Sequence, residues 1–399
     1  MKFRRVLYVF TAASLLVIAV DSVASGFRLS NQNAYVTGRG NAFVATANTP
    51  AAVYYNPAGM TQVEGSQMEA GSYLINFTVD YDGSASEFKN NDEWQPVPHF
   101  FYTTETTENL SFGLGIYAPF GLGNDWDQDA STFSSITRDA EVSLVTVAPA
   151  VGYNLNEQVS VGASINLNMA DIDIAQGVGL APGDTLRFVG DDTHIGYTLG
   201  ILWKLNNRHS LGAKYRSKAD LGLSGTTSYQ PLELTSESSM AIELPDILTV
   251  GYSYKPTQNW DFGLDLEYIR WSSFSETTIT NSPLGDLPQV FNWEDGYIWQ
   301  LGFTRFLENG YALSAGYNYN ENVQPDFLYN PVVADANRHW FNASIAQTRG
   351  QYPWSIGYQY GTSDRNVAGD INRPITGENA NGNYQTTAHS LIFTIGYKF

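Results

Sequence analysis

Cysteine is absent from this chain of 399 residues, which excludes disulfides, thiol catalysis and cysteine-ligated zinc. Charged residues make up only 15% of the chain, well below the roughly 25% that is usual in soluble proteins. Bases are the scarcer sign, because 21 Lys and Arg against 40 Asp and Glu leave a formal net charge of −19. So acidic a chain lacks the basic surface that binds phosphate groups, which argues against a nucleic-acid partner.

Long apolar runs are also lacking beyond the N-terminus, so any membrane insertion of the mature chain must use strands. At the N-terminus, three bases within the first five residues precede the apolar run from Val6 to Val20, and small residues follow up to Ser25. This order is typical of a secretory signal peptide, which we assign to residues 1–24. An N-terminal membrane anchor is the alternative, although the run is shorter than the roughly 20 residues needed to span a bilayer.

From residue 67 onward, apolar and polar residues alternate with the two-residue period of β-strands. In residues 158–169, for example, Val159, Ile165 and Leu167 share one face, and polar residues such as Asn166 share the other. The pattern predicts fourteen strands near 67–81, 96–106, 108–118, 140–154, 157–172, 193–206, 208–224, 240–255, 257–273, 294–307, 310–320, 338–348, 352–361 and 388–399.

Short turns and long polar loops alternate between these strands, which is the layout of outer-membrane barrels. We therefore predict an all-β protein, in which residues 67–399 form a 14-stranded antiparallel transmembrane β-barrel. A soluble β-sandwich would alternate as well. However, Tyr and Trp recur at the strand ends and the chain ends in Phe399, as expected for strands that meet membrane interfaces.

The segment before the barrel, residues 25–66, does not alternate. It contains three short motifs, which are Gly26-Phe27-Arg28-Leu29, Gly38-Arg39-Gly40-Asn41-Ala42-Phe43 and Tyr54-Tyr55-Asn56-Pro57-Ala58-Gly59-Met60. Further motifs follow at 117–122, 190–192, 215–217, 244–246, 337–340 and 396–399. Their order along the chain resembles the FadL/TodX family of outer-membrane transporters for long-chain fatty acids and other hydrophobic compounds.

The resemblance implies a 14-stranded barrel whose lumen holds residues 25–66 as a small N-terminal plug, or hatch. It also implies passive transport, in which extracellular loops capture the ligand, the lumen binds it, and a gap in the wall releases it sideways into the membrane. The gate residues that it implies are Gly26, Phe27, Asn56, Pro57 and Ala58. We expect Asn56-Pro57-Ala58 to lie near the lateral opening, although an Asn-Pro pair also commonly starts an ordinary turn.

In the family, the gap lies at a kink in the third strand, which here runs from Leu110 to Ala118 and is followed by Pro119. Proline cannot donate to the strand ladder, so Pro119 is our candidate for the lateral opening. The alternative is that Pro119 merely ends the strand and begins a loop. The resemblance further assigns Phe399, at the end of the last strand, to recognition by the barrel assembly machinery.

A fatty acid also needs a partner for its carboxylate. In the predicted strand 208–224, Lys214, Arg216 and Lys218 share the polar face, which points into the lumen of a barrel. These three bases are candidate carboxylate ligands, and the fork of Arg216 suits a carboxylate best. The alternative is that they form ion pairs with lumenal acids such as Asp261.

The leading function is uptake of long-chain fatty acids or similar lipophilic molecules across the outer membrane of a Gram-negative cell, with lipids and lipopolysaccharide around the wall. Two alternatives stay open, which are uptake of neutral aromatic hydrocarbons and, in a different class, a water-filled porin or structural surface protein. The five histidines show no metal-ligand spacing, and no Gly-x-Ser-x-Gly elbow occurs. We therefore expect no metal, no cofactor and no enzymatic activity.

Overall fold

A computed structural model of the chain describes residues 26–84, 87–91, 93–126, 133–371, 373 and 376–399. The predicted signal peptide lies outside the described residues. The strands are β1 (Ser66–Asp82), β2 (Glu87–Lys89), β3 (Gln95–Thr107), β4 (Leu110–Asp125), β5 (Asp139–Asn154), β6 (Val159–Gln176), β7 (Leu186–Asn206), β8 (His209–Arg216), β9 (Ala219–Tyr229), β10 (Leu234–Leu244), β11 (Ile247–Thr257), β12 (Trp260–Ile269), β13 (Glu276–Ser282), β14 (Gly285–Val290), β15 (Gly296–Phe306), β16 (Tyr311–Asn320), β17 (Arg338–Gln347), β18 (Trp354–Val367) and β19 (Gly382–Lys398). The helices are α1 (Ala34–Gly38), α2 (Ala52–Tyr55) and the 3-10 helices Pro57–Gln62, Gln230–Leu232, Trp271–Ser273 and Asp326–Leu328.

The strands form one closed antiparallel wall, because β1 pairs with β3 on one side and with the last strand, β19, on the other. Two wall strands are interrupted, so that β8 continues as β9 and β10 continues as β11. The short strand β2 and the hairpin β13–β14 belong to connections between wall strands. If each interrupted strand counts once and the strands in the connections are left out, the described residues form 14 antiparallel wall strands. The prediction of 14 strands is therefore confirmed.

The wall turns its apolar side chains outward and its polar side chains inward. On β6 and β7, for example, Ile165 and Ile195 are 60% and 67% exposed, whereas Asn166 and Asn168 on the inward face are buried. A soluble protein would bury the apolar face instead. The arrangement is that of a barrel whose outer surface is solvated by lipid.

The segment before β1 lies inside the lumen, and we call residues 26–63 the plug. Asn33 caps α1 by accepting a hydrogen bond from the Val36 N–H, and Asn56 caps the 3-10 helix that starts at Pro57. None of the helices in the described part of the chain is long and apolar enough to cross a membrane. Almost every plug residue is buried, because the wall surrounds it.

Inward-facing glycines let the plug backbone approach the wall. Gly263, Gly302 and Gly316 lie side by side on β12, β15 and β16. A Cβ added at Gly302 would come within 1.9 Å of the Arg39 carbonyl oxygen, and one at Gly316 within 2.2 Å of the Gly40 nitrogen. Any larger side chain at these positions would therefore displace the plug or distort the wall.

Three acidic side chains of β12 bind the plug. Asp261 pairs with Arg39 at 3.2 Å, and both side chains are buried. Asp265 accepts hydrogen bonds from two plug N–H groups, and Glu267 pairs with Arg28 at 3.0 Å. Removing one partner of a buried ion pair typically costs roughly 3–5 kcal/mol, so these contacts fasten the plug firmly.

Candidate ligand path through the barrel

The wall has a gap between β3 and β4. Pairing of these strands runs from Thr107 opposite Leu110 to Phe100 opposite Ile116 and then stops, although both strands continue. Beyond this point, β4 still pairs with β5 up to Asp125. In the described residues, the part of β3 before Phe100 and the part of β4 after Ile116 therefore do not pair with each other.

Prolines account for the gap. On β3, Pro96 and Pro98 lie in the stretch that leaves β4 unpaired, and neither can donate a backbone hydrogen bond. On β4, the register against β5 shifts between Tyr117 and Phe120, on either side of Pro119. The strand continues through Pro119 instead of ending there, and it carries a bulge at this position.

The N-terminal end of the plug occupies the free edge of β4. The Leu29 N–H donates to the Pro119 carbonyl oxygen at 2.9 Å, and the Gly121 N–H donates to the Phe27 carbonyl oxygen at 3.1 Å. Arg28 lies opposite Phe120 in this short bridge. The plug therefore supplies part of the pairing that β3 does not.

A small apolar cavity of about 100 Å³ lies in the lumen beside this bridge. Apolar side chains make up most of its lining. They are Phe27, Ile136, Ala140, Val142, Leu144, Ala170, Ile172, Ile174, Leu186, Phe188, Leu221, Met240, Ile242, Leu244, Phe274, Ile279, Phe291, Trp293, Val332 and Val333. Among the described residues, no Lys or Arg lines this cavity. We call it the apolar cavity.

A second cavity, of about 1110 Å³, lies beside the gap, and we call it the gap-side cavity. Its lining includes Pro96 and Pro98 from one edge of the gap, Gly121 and Gly123 from the other, and residues 26–31 of the plug. It therefore extends from the gap into the lumen.

Phe27 lines both cavities. Its ring packs against Trp271 at 4.9 Å and Trp293 at 5.9 Å between ring centroids. Gly26, at φ +53°, sits so close to the same tryptophans that an added Cβ would lie 2.7 Å from the Trp271 ring. The ion pair between Arg28 and Glu267 anchors the next residue along the chain. Phe27 is thus held between the two cavities.

The three predicted carboxylate ligands do not lie together. Lys214 and Arg216 are buried in the lumen, but Lys218 falls in the interruption between β8 and β9. There its side chain is 41% exposed and pairs with Asp220 and Glu243. The expectation of one continuous strand over 208–224 was wrong, because the break shifts the two-residue alternation and moves Lys218 off the inward face.

Among the residues that the structure describes, Arg216 has only neutral partners. Its guanidinium donates to the Tyr117 hydroxyl at 3.1 Å, the Thr146 hydroxyl at 3.1 Å and the Asn168 side-chain oxygen at 2.8 Å. The ammonium of Lys214 lies 5.0 Å from the centre of the Tyr54 ring. The acids of β12, considered above as ion-pair partners for these bases, bind the plug instead. Arg216 forms no ion pair within the described part of the chain.

The Asn56-Pro57-Ala58 motif lies away from the gap, which corrects its expected position. The Asn56 side chain donates to the Val44 carbonyl oxygen and to that of Ile201 on β7, at 2.8 and 3.0 Å. Pro57 packs against Gly162 of β6. The motif thus docks the plug on the wall at β6 and β7, whereas Phe27–Leu29 lies at the gap.

Phe399 lies at the outer surface, with its side chain 70% exposed, and its N–H donates to the Ser66 carbonyl oxygen of β1. The last residue is thus held at the seam where the barrel closes. Its role in assembly stays a prediction.

Sequence reasoning missed two features of the site. Pro96 and Pro98 stand two residues apart in an alternating strand, which indicates an edge without a full ladder, and this signal was readable. The acids of β12 were noted as lumenal, but their partners in the plug are more than 200 residues away in the chain. No local pattern identifies such partners.

Comparison with known proteins agrees with this architecture. The profile of the outer membrane protein transport protein family (OMPP1/FadL/TodX) matches residues 15–399. The long-chain fatty acid transport protein of Salmonella typhi is 21% identical over 83% of this chain and 86% of its own length. A FadL homologue from Pseudomonas aeruginosa superimposes with a TM-score of 0.84 at 16% identity, covering 94% of this chain and 100% of that one. The toluene transporter TodX of Pseudomonas putida superimposes at 0.74 and 17% identity, with coverage of 94% and 100%. Since the family profile spans nearly the whole chain, this protein belongs to the OMPP1/FadL/TodX family of outer membrane transport proteins.

Proposed function

We propose that this protein takes up long-chain fatty acids or similar lipophilic molecules across the outer membrane without an energy source. Extracellular loops capture the ligand, and the apolar cavity binds it. The ligand then passes Phe27 into the gap-side cavity and leaves sideways between β3 and β4. Exposing apolar surface to water costs about 25 cal/mol per Å², so a path that leads directly into lipid avoids the main barrier to transport.

The observation that carries the proposal is the shared wall of the two cavities. Phe27 lines both cavities, so its ring forms part of the partition between a ligand in the apolar cavity and the gap; Asp139, Ala140, Val142, Ser143 and Val333 form the rest. The plug fills the lumen below, which disfavours a water-filled porin. We infer that residues 26–63 act as the gate, with Phe27 as its moving part.

Uptake by whole cells tests this proposal. Cells that lack their own transporter of this family and express the protein are expected to accumulate radiolabelled oleate faster than cells with the empty vector. Equal accumulation, with the barrel demonstrably in the outer membrane, would contradict it.

We propose Arg216 as the lumenal partner of the carboxylate, since it is buried and its present partners are all uncharged. A charge-assisted hydrogen bond typically contributes about 1.5–3 kcal/mol, so Arg216→Gln is expected to weaken oleate binding by about 10-fold or more. Lys218→Gln serves as the matched control, because Lys218 is exposed and already paired with two acids. Titration of the purified proteins with oleate and its uncharged methyl ester measures both effects. Equal losses for the two ligands would argue against a carboxylate role for Arg216.

Uptake of neutral hydrocarbons is the second candidate, and a specific observation favours it. In the part of the chain that the structure describes, no base lines the apolar cavity, so an uncharged ligand fits there without a counter-ion. The family also includes a toluene transporter. A competition assay with toluene and bound oleate distinguishes the two candidate functions. Toluene should displace oleate only weakly from a fatty acid transporter but strongly from a hydrocarbon transporter.

A further inference from the structure

The gap-side cavity contains a second buried cation. Arg338, the first residue of β17, lines this cavity and is only 8% exposed. The alternation of β17 places it on the inward face together with Trp340 and Asn342. Its guanidinium carbon lies 5.5 Å from the centre of the Phe77 ring and 5.9 Å from that of Trp340, so aromatic faces hold the group in place.

Arg338 lacks a counter-ion among the described residues. One Nη donates to the Ala334 carbonyl oxygen at 3.2 Å, and the Nε atom finds no hydrogen-bond partner in the described part of the chain. Buried charges are normally paired, because desolvating an unpaired charge is costly. The other buried base on the cavity lining, Arg28, follows this rule through Glu267. Arg338 does not.

Asp335 is the acid that acts most strongly on Arg338, yet the two form no ion pair. Its carboxylate instead accepts a hydrogen bond from the Val323 N–H at 2.5 Å. Burial raises the pKa of Asp335, and this loop residue also interacts with Arg365, which donates to the Asp335 backbone carbonyl oxygen at 2.8 Å. Asp335 is therefore a poor substitute for a direct counter-ion.

The rest of the cavity suits an amphiphile. Near Arg338, polar side chains such as those of Asn318, Asn320 and Gln359 line the wall, and the Asn320 side-chain oxygen also lacks a partner. Toward the gap, apolar side chains such as those of Val97 and Trp94 line the cavity, and the acids on the same lining would repel a carboxylate from this end; they are Glu93, Asp125, Asp139 and Glu141. A molecule with its charged end at Arg338 would therefore direct its apolar end toward the membrane.

From this geometry we propose that Arg338 forms a second anion site, which binds the carboxylate of the transported acid on the exit side of Phe27. The proposal rests on the proposed function and adds a step to it. The acid leaves the apolar cavity, passes Phe27 and is held by its head at Arg338, while its chain enters the membrane through the gap. Neither the sequence pattern of β17 nor the apolar cavity alone identifies this site.

The test compares Arg338→Gln, Arg338→Lys and the control Arg349→Gln, which removes an exposed base from a turn. The full mature proteins are titrated with oleate and methyl oleate in mild detergent. We expect Arg338→Gln to weaken oleate binding by about 10-fold and to leave methyl oleate binding unchanged, whereas Arg338→Lys retains most of the affinity. Combining Arg338→Gln with Arg216→Gln should weaken oleate binding further than either change alone.

Three results would overturn the assignment. Unchanged oleate affinity in Arg338→Gln would contradict an anion site at Arg338. The proposed function would not be affected by this result, because the uptake assay and the Arg216 variant test it separately. Equal loss of oleate and methyl oleate would show that Arg338 only supports the fold. The anion at Arg338 could instead come from a phospholipid or lipopolysaccharide, and native mass spectrometry distinguishes this source. If Arg338→Gln loses such a lipid adduct but still binds oleate, a role for the transported acid is also overturned.

Discussion

A barrel that lacks residues 26–63 is expected to conduct ions steadily in planar bilayers, whereas the full mature chain conducts almost none. Without the plug, a wall of 14 strands encloses more space than its own side chains fill, since closed barrels of about eight strands are the size that side chains fill. The inward face is polar, so water would enter. We expect the current to rise by at least about an order of magnitude.

A point substitution that displaces the plug is also expected to raise the ion conductance. Gly302→Leu places a side chain where the Arg39 carbonyl oxygen now lies, so it should displace the plug and raise the conductance partway. Gly222→Leu is the matched control, because nothing lies within 4 Å of a Cβ at Gly222. The shift in electrophoretic mobility on heating confirms that each variant is a folded barrel. A folded deletion variant that stays silent would show that the plug does not close the lumen.

A disulfide between the plug and β4 is expected to stop uptake reversibly. Arg28 and Phe120 lie opposite each other, and hydrogen bonds flank the pair on both sides without joining it. Such pairs have Cα atoms about 4.5 Å apart, which is within the range that a disulfide spans. The chain has no other cysteine, so Arg28→Cys with Phe120→Cys can form only one intramolecular bond.

When oxidised, this variant should hold the plug on β4 and keep Phe27 between the cavities. We expect oleate uptake to fall about 10-fold, and a reducing agent to restore it to the level of the reduced variant. Each single cysteine variant, tested with and without oxidant, controls for the lost Arg28–Glu267 ion pair and for the oxidant itself. Undiminished uptake by the crosslinked protein would mean that the ligand does not need the plug to move away from β4.

Most of the fold was predictable from local pattern. Strands that face lipid on one side and the lumen on the other must alternate, so positions such as Ile165 and Asn166 indicate both the strand and its two environments. The interruptions were less predictable. At Ser217 and Lys218 the alternation continues in the sequence, but the buried positions change from even-numbered residues in β8 to odd-numbered residues in β9. Only the folded wall reveals this change.

The candidate site was predictable only in part. Phe27 and Pro119 were identified through short motifs, and both lie at the gap. Arg216 was identified because a base on an inward face is rare in this chain. Contacts between distant segments, which composition and spacing do not encode, decide three further features. They are the exclusion of Lys218, the docking of Asn56 on β7 and the lack of a counter-ion for Arg338 among the described residues.

The sequence by itself therefore determined the strands, their number and their outward apolar face, because each follows from the side chains of a single strand in contact with lipid or water. The tertiary structure alone decided which charges are paired and where the strand ladder of the wall is interrupted. Arg28 meets Glu267 across 239 residues of chain, while Arg338 forms no ion pair within the described part of the chain. That difference arises only when the closed barrel brings its strands around the plug, because the pairing of a charge depends on its neighbours in space and not on its neighbours in sequence.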